Sequence, residues 1–190
     1  MSGRLQMLRF LLNEAFFLAM MAVIAAILTA AMVMQYGAGE IPCPLCLLER
    51  VAMLGVCFGI MQNVRRGFSD RNLGISLLFA VFLLVVAARQ TLLDIYPRPG
   101  HEYVGTAILG LHMPVWGVVI ALALIAAFAL KLAIIGTEDG AKPPSRSSAL
   151  GRIGAALSLY VIAIAAVNFG SVVVQCGLGQ CHTEGYALLR

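Results

Sequence analysis

Apolar residues in this chain come in long, nearly unbroken runs, and charge gathers between them. Ala15 to Met34 carries no charge. Leu45 to Gln62 has only Glu49 and Arg50, both near one end. Leu73 to Ala88 is a third run and continues towards Tyr96. Met113 to Leu130 is a fourth, and Ile153 to Val174 a fifth. About 20 apolar residues carry a helix across the hydrocarbon core of a bilayer. The runs do not alternate apolar and polar positions as barrel strands do, so the structure that satisfies its own backbone in lipid is the helix. The pattern predicts an all-α integral membrane protein with five transmembrane helices.

Composition agrees. Hydrophobic residues make up 61% of the 190 residues, and mean hydropathy is +0.94. A water-soluble domain of this length could not shield so much apolar surface. The formal charge of +4 does not point to nucleic acid, because the basic residues lie between the apolar runs, which is the pattern of membrane topology.

Lys and Arg set the orientation. With the N-terminus in the cytoplasm, Arg4, Arg9, Arg65, Arg66, Arg71, Lys131, Lys142, Arg146 and Arg152 lie inside; Arg50, Arg89, Arg98 and Arg190 lie outside. No other frame gives as strong a bias. The first run follows Arg4 and Arg9 as a signal peptide would, but it is long and leads into Gln35-Tyr36-Gly37, so it reads as a retained anchor. Lys142-Pro143-Pro144-Ser145-Arg146 reads as part of a flexible cytoplasmic linker. No internal repeat is visible.

Four of the five cysteines then fall on the outer face. Cys43 and Cys46 precede the second span, and Cys176 and Cys181 follow the fifth. The outer face of a bacterial inner membrane is the side where disulfides persist. Cys57, between Val56 and Phe58, reads as a small buried hydrophobe.

A Cys-x-x-Cys pair suits a redox centre, a structural disulfide or half a zinc site, and for zinc Cys176, Cys181 and His182 would complete the ligands. Its setting favours redox chemistry. Pro44 fits a first helical turn, which puts Cys46 near the positive end of the helix dipole. Arg50 follows four residues later on the same face. Both stabilise a thiolate, the reactive form of cysteine. A guanidinium near the membrane interior is costly, so Arg50 is read as functional, able to hold an oxygen that gains charge during reduction. Cys176 and Cys181 are separated by Gly-Leu-Gly-Gln, a spacer that suits either a staple or a mobile shuttle on an exposed tail.

Cys43-Pro-Leu-Cys46-Leu-Leu-Glu49-Arg50, followed by Val51-Ala52-Met53-Leu54-Gly55-Val56, resembles the second-helix motif of the disulfide bond formation protein B (DsbB) family. Gly110-Leu111-His112-Met113-Pro114-Val115-Trp116 resembles the start of that family's fourth helix, and Tyr96-Pro97-Arg98-Pro99 is a weaker match. The resemblance implies a DsbB-like four-helix bundle over 1–135. A cytoplasmic linker over 136–151, a fifth transmembrane helix over 152–175 and a periplasmic tail over 176–190 would follow. It implies a quinone-dependent protein-disulfide oxidoreductase of the bacterial inner membrane. Such an enzyme passes electrons from a DsbA-like periplasmic thiol oxidase to ubiquinone or menaquinone. Cys43 and Cys46 would be the quinone-linked pair, with Cys46 engaging the ring and Arg50 orienting it. Met113 and Trp116 would lie near the ring, and Arg89 and Gln90 are weaker candidates.

One departure is plain. The family carries its second cysteine pair between its third and fourth helices, where this chain has none. Cys176 and Cys181 are therefore expected to act as the relocated shuttle pair, oxidising either a DsbA-like protein or a specialised substrate. In that scheme the tail pair attacks Cys43, the sulfur expected nearer water. Two other readings compete: a conduit carrying reducing equivalents across the membrane, and a non-enzymatic assembly factor with a structural disulfide or metal site. A vitamin K epoxide reductase-like enzyme shares the bundle logic, but the Glu49-Arg50 context favours DsbB.

Overall fold

The computed structural model describes residues 2–96, 107, 109–136, 148–177, 179, 181 and 185–189. Pro97, Arg98, Pro99, Ile108, Lys142, Arg146, His182 and Arg190 lie outside the described residues, as does most of the expected linker.

Five helices follow one another: α1 (Ser2–Gly37), α2 (Pro44–Arg66), α3 (Asp70–Ile95), α4 (Met113–Ile134) and α5 (Ala149–Cys176). All five are long and apolar enough to cross a membrane, and among the described residues there is no strand. The protein is a multi-pass membrane protein. Each helix contains the apolar run expected of it and extends further, because polar residues at the ends continue a helix once its core turns have formed. The extension is largest in α1, which starts at Ser2. At 36 residues it is about 54 Å long, well over the roughly 30 Å of a hydrocarbon core.

Local signals set the ends. Cys43 caps α2: its Sγ accepts the Cys46 N–H at 3.0 Å, and Pro44 occupies the first turn. Ser148 caps α5 by accepting the Gly151 N–H at 3.0 Å. The turn from α2 to α3 is held by Asn63, whose Oδ1 accepts the Ser69 N–H at 3.1 Å.

Neighbours in sequence pack in space: α2 against α3, α3 against α4, and α1 against α2. The ring of four closes through side chains, with Phe16 of α1 edge-on to Phe128 of α4 and Lys131 over the Phe17 ring. The core is Phe17, Met21, Ile24, Leu28, Val56, Ile60, Leu83 and Phe128, all nearly or fully buried. The fifth helix lies outside this ring, on α1 and α2. Its buried stripe of Gly151, Gly154, Ser158, Val161, Asn168, Ser171 and Gln175 is mostly small or polar, the usual way for helices to approach closely in lipid.

Up-and-down connectivity gives the bundle two chemically distinct ends. Arg9, Arg65, Arg66, Arg71, Lys131 and Arg152 lie towards one end. The other gathers the end of α1, the starts of α2 and α4, and the ends of α3 and α5, where four cysteines lie.

Candidate functional site

At the cysteine-bearing end, Cys43 and Cys46 form a disulfide with their Cα atoms 5.0 Å apart. Cys43 is 7% exposed and Cys46 is half-buried. As the N-cap, Cys43 turns inward, and Cys46 borders an opening. One residue touches both sulfurs. Gln90, buried on α3, directs Nε2 to Cys43 Sγ at 3.2 Å and to Cys46 Sγ at 3.5 Å, while its Oε1 has no hydrogen-bond partner. Its neighbour Arg89 points away, into a separate surface groove with Leu92 and Tyr96.

The opening beside Cys46 is a cavity of about 260 Å³ between α1, α2 and the start of α4. Ile27, Ala30, Ala31, Met34, Met53 and Met113 give it an apolar wall, and Gln35, Glu40, Glu49 and Arg50 supply polar groups. Cys46, Glu49, Arg50 and Met53 follow the i, i+3, i+4, i+7 spacing that puts side chains on one helix face. The structure thus brings Cys46, Arg50 and Met113 to one cavity. Trp116, half-buried one turn further along α4, is not among the residues lining it.

Arg50 is buried without a carboxylate partner among the described residues. Its Nη1 donates to Gln35 Oε1 at 2.5 Å and its Nη2 to the Ala31 carbonyl at 3.1 Å, with Met32 Sδ 3.9 Å from Nη1. The last turns of α1 therefore hold the guanidinium with neutral acceptors, which fixes it in place. Glu49 turns the other way, towards α4. Gly117 makes room for it: a Cβ there would lie 3.0 Å from Glu49 Oε1. That oxygen is buried without a hydrogen-bond partner.

The fifth helix brings the second pair to the same end. Cys176, its last residue, is buried and disulfide-bonded to Cys181, with Cα atoms 4.0 Å apart. Gln175 Nε2 donates to the Pro42 carbonyl at 2.7 Å. Each partner in that bond is the immediate neighbour of a cysteine, so one hydrogen bond ties the two disulfides together. Further along the tail, Tyr186 OH accepts from Gln35 Nε2 at 3.3 Å. Gln35 therefore bridges the tail and Arg50. Tyr36 and Ser171 add a hydroxyl–hydroxyl bond between α1 and α5. The described part of the tail is docked where the sequence led us to expect an exposed segment.

Cys57 is the one free cysteine among the described residues, fully buried in the core of the bundle. Among the described residues no group of three or more His, Cys, Asp or Glu side chains is gathered as a metal would need.

Sequence reasoning missed Gln35 as a site residue. It is the last polar residue before the loop that leads to Cys43, but nothing in the linear pattern distinguishes it from an interfacial glutamine. Gln90 was legible only through the resemblance.

Residues 13–102 match the sequence model of the family described as disulfide bond formation protein DsbB. The curated relatives include disulfide bond formation protein B of Azoarcus sp. (strain BH72), 34% identical over 99 residues, a match covering 46% of this chain and 58% of that protein. The protein of the same name from Aromatoleum aromaticum is 32% identical over 90 residues, covering 45% and 54%. That from Cupriavidus metallidurans is 30% identical over 87 residues, again covering 45% and 54%. The chain thus spans somewhat over half the length of the curated relatives it matches. No solved structure matches it. Met113, Trp116 and the whole of α5 lie beyond the matched stretch. Residues 13–102, which hold Cys43, Cys46, Arg50 and Gln90, are similar to the DsbB disulfide bond formation family.

Proposed function

We propose that this protein is a thiol–disulfide oxidoreductase that makes disulfides on the outer side of a bacterial inner membrane and passes the electrons to ubiquinone or menaquinone. The observation that carries the reading is the shared cavity of Cys46 and Arg50: a redox-capable sulfur and a buried, fixed cation border one apolar space. About 260 Å³ is enough for a substituted six-membered ring, given that a 150 Å³ cavity holds benzene. The apolar wall and the few convergent polar groups are those of a small-molecule site. A bound quinone supplies the two-electron acceptor.

The chain's own residues do the rest. Gln90 holds both sulfurs and hydrogen-bonds the thiolate that Cys46 becomes when the disulfide opens. The helix dipole and Arg50 favour the same charge. Arg50 is oriented to meet negative charge growing on a ring oxygen, and because Gln35 and Ala31 pre-set the guanidinium it need not reorganise during the reaction. Met113, which lines the cavity, would pack against the ring.

Cys176 and Cys181 are proposed as the exchange pair for a soluble dithiol, either a DsbA-like oxidase or a specialised substrate protein. A partner thiolate opens Cys176–Cys181, and the reduced pair then attacks Cys43–Cys46. The Gln175–Pro42 bond supports direct transfer, and Cys43 is the preferred target because its neighbour Pro42 is held against the end of α5. Basic residues at the opposite end favour a cytoplasmic N-terminus and a periplasmic tail.

The test uses the full chain in nanodiscs. Cys46→Ser is expected to abolish reduction of a short-chain quinone by any dithiol. Cys176→Ser is expected to block oxidation of a protein dithiol while a small dithiol still drives quinone reduction. Normal oxidation of protein dithiols by the Cys176→Ser protein would remove the shuttle role.

A further inference from the structure

Glu49 occupies a position that the scheme above does not use. It lines the cavity one turn from Cys46, on the wall opposite the groups that hold Arg50. It is 9% exposed, and its Oε1 has no hydrogen-bond partner. Burying a carboxyl oxygen without a partner is costly. The fold nevertheless makes room for it, through the missing side chain of Gly117. A buried carboxyl group that lines the cavity with one oxygen left unpartnered points to a polar ligand that meets the group. Of the other ionisable groups around the cavity, Arg50 keeps its protons, Cys46 gives its electron pair to the new bond, and Glu40 stands at the half-exposed mouth.

We propose that the Glu49 carboxyl hands a proton to a ring oxygen of the bound quinone, which makes it a catalytic acid–base residue of the reaction. The inference rests on the quinone reading above, and its balance is as follows. Before transfer, Cys43 is a thiol, Cys46 a thiolate and Glu49 a carboxylic acid. The Cys43 S–H bond breaks, the Cys43–Cys46 S–S bond forms, and two electrons reduce the quinone to quinol. Two protons must reach its oxygens. The Cys43 thiol provides one, and Cys46, entering as a thiolate, provides none; Glu49 provides the second and is left as carboxylate. The cycle resets when an incoming dithiol is oxidised and reduces Cys43–Cys46. Of its two protons one goes to Cys43 and one to Glu49, while Cys46 is released as thiolate.

The test has a readout that needs no turnover. Short-chain ubiquinone is titrated into the oxidised full chain in nanodiscs and followed by infrared difference spectroscopy. In the oxidised protein Glu49 is a carboxylate, and its carboxylate stretching band is expected to shift on binding in the wild type and to be missing in Glu49→Gln. A shift that persists in Glu49→Gln overturns the proposal. In single turnover from the reduced protein, Glu49→Gln is expected to slow quinol formation about 100-fold, the usual scale of losing a positioned proton donor. Glu49→Asp, which keeps the acid on a shorter arm, is expected to fall between the two and so covers the case in which Glu49→Gln does not fold. Quinol formation at the wild-type rate in Glu49→Gln, or a large loss in Glu40→Gln with none in Glu49→Gln, overturns the assignment. If the wild type itself forms no quinol, the quinone reading fails, a result distinct from a defect or its absence in the variants.

Discussion

Gln90 places one amide nitrogen within reach of two sulfurs, 3.2 Å from Cys43 and 3.5 Å from Cys46. In the disulfide state these are weak contacts, because a neutral sulfur is a poor acceptor. Once the bond opens, the same donor faces a thiolate, and a hydrogen bond to a charged group contributes about 1.5–3 kcal/mol. Gln90→Leu keeps the volume and removes the donor. It is expected to slow alkylation of reduced Cys46 at neutral pH by roughly ten-fold, since thiolate is the reacting form. Mass spectrometry of the alkylated protein measures this directly, and an unchanged rate would show that Gln90 only packs. Arg50 illustrates what a sequence can say about a residue. Its cost in lipid suggests a role from the sequence alone, but that reasoning does not reveal that α1 supplies its partners.

Among the elements, α2 carries Cys46, Glu49 and Arg50 and is held most closely by α3. Gly59 permits this approach. A Cβ at that position would lie 2.6 Å from the Asn72 carbonyl oxygen and 2.8 Å from the Ser76 nitrogen, both backbone atoms that cannot rotate away. Ser76 also donates its hydroxyl to the Val56 carbonyl at 3.1 Å, tying the helices at the same level. Gly59→Ala is therefore expected to push the helices apart and destabilise the bundle by about 1–3 kcal/mol, the usual cost of overpacking. Denaturant titration in detergent micelles measures it. A stability equal to the wild type would mean that the α2–α3 contact yields freely. The spans themselves could be read from the chain because a 20-residue apolar run has few alternatives in a bilayer. Their ends could not, since end residues are decided by caps and neighbours.

For the whole molecule, α5 matters most, because it brings a second disulfide to a ring of four helices complete without it. The attachment is polar at the cysteine-bearing end: Gln175 to Pro42, Tyr186 to Gln35, Tyr36 to Ser171. If the Gln175 bond aligns the two disulfides, Gln175→Leu should slow electron transfer from the tail pair to Cys43–Cys46 by about ten-fold, the effect of losing roughly 1.4 kcal/mol of positioning. Quenched-flow thiol trapping of the two pairs reads this rate separately from quinone reduction. Equal transfer rates in the variant and the wild type would show that the tail finds Cys43 without that bond.

The linear chain determined that this is a five-helix membrane protein, that its basic residues gather towards one end, and that two cysteine pairs share the other. Those properties follow from hydrophobic length, charge placement and up-and-down connectivity, all of which are local or additive along a sequence. The Cys-x-x-Cys motif and Arg50 were equally legible, being one turn apart on one helix. Only the tertiary structure decided that Cys43 turns inward, that Gln35 and Ala31 rather than a carboxylate hold Arg50, that Glu49 has an unpartnered oxygen against Gly117, and that the end of α5 docks through Gln175 and the tail through Tyr186. Each of these depends on which face of one helix meets another, and helix packing in lipid is chosen by shape and hydrogen bonding between distant segments. A periodic apolar pattern does not encode that choice when every face of a helix is apolar enough to meet lipid.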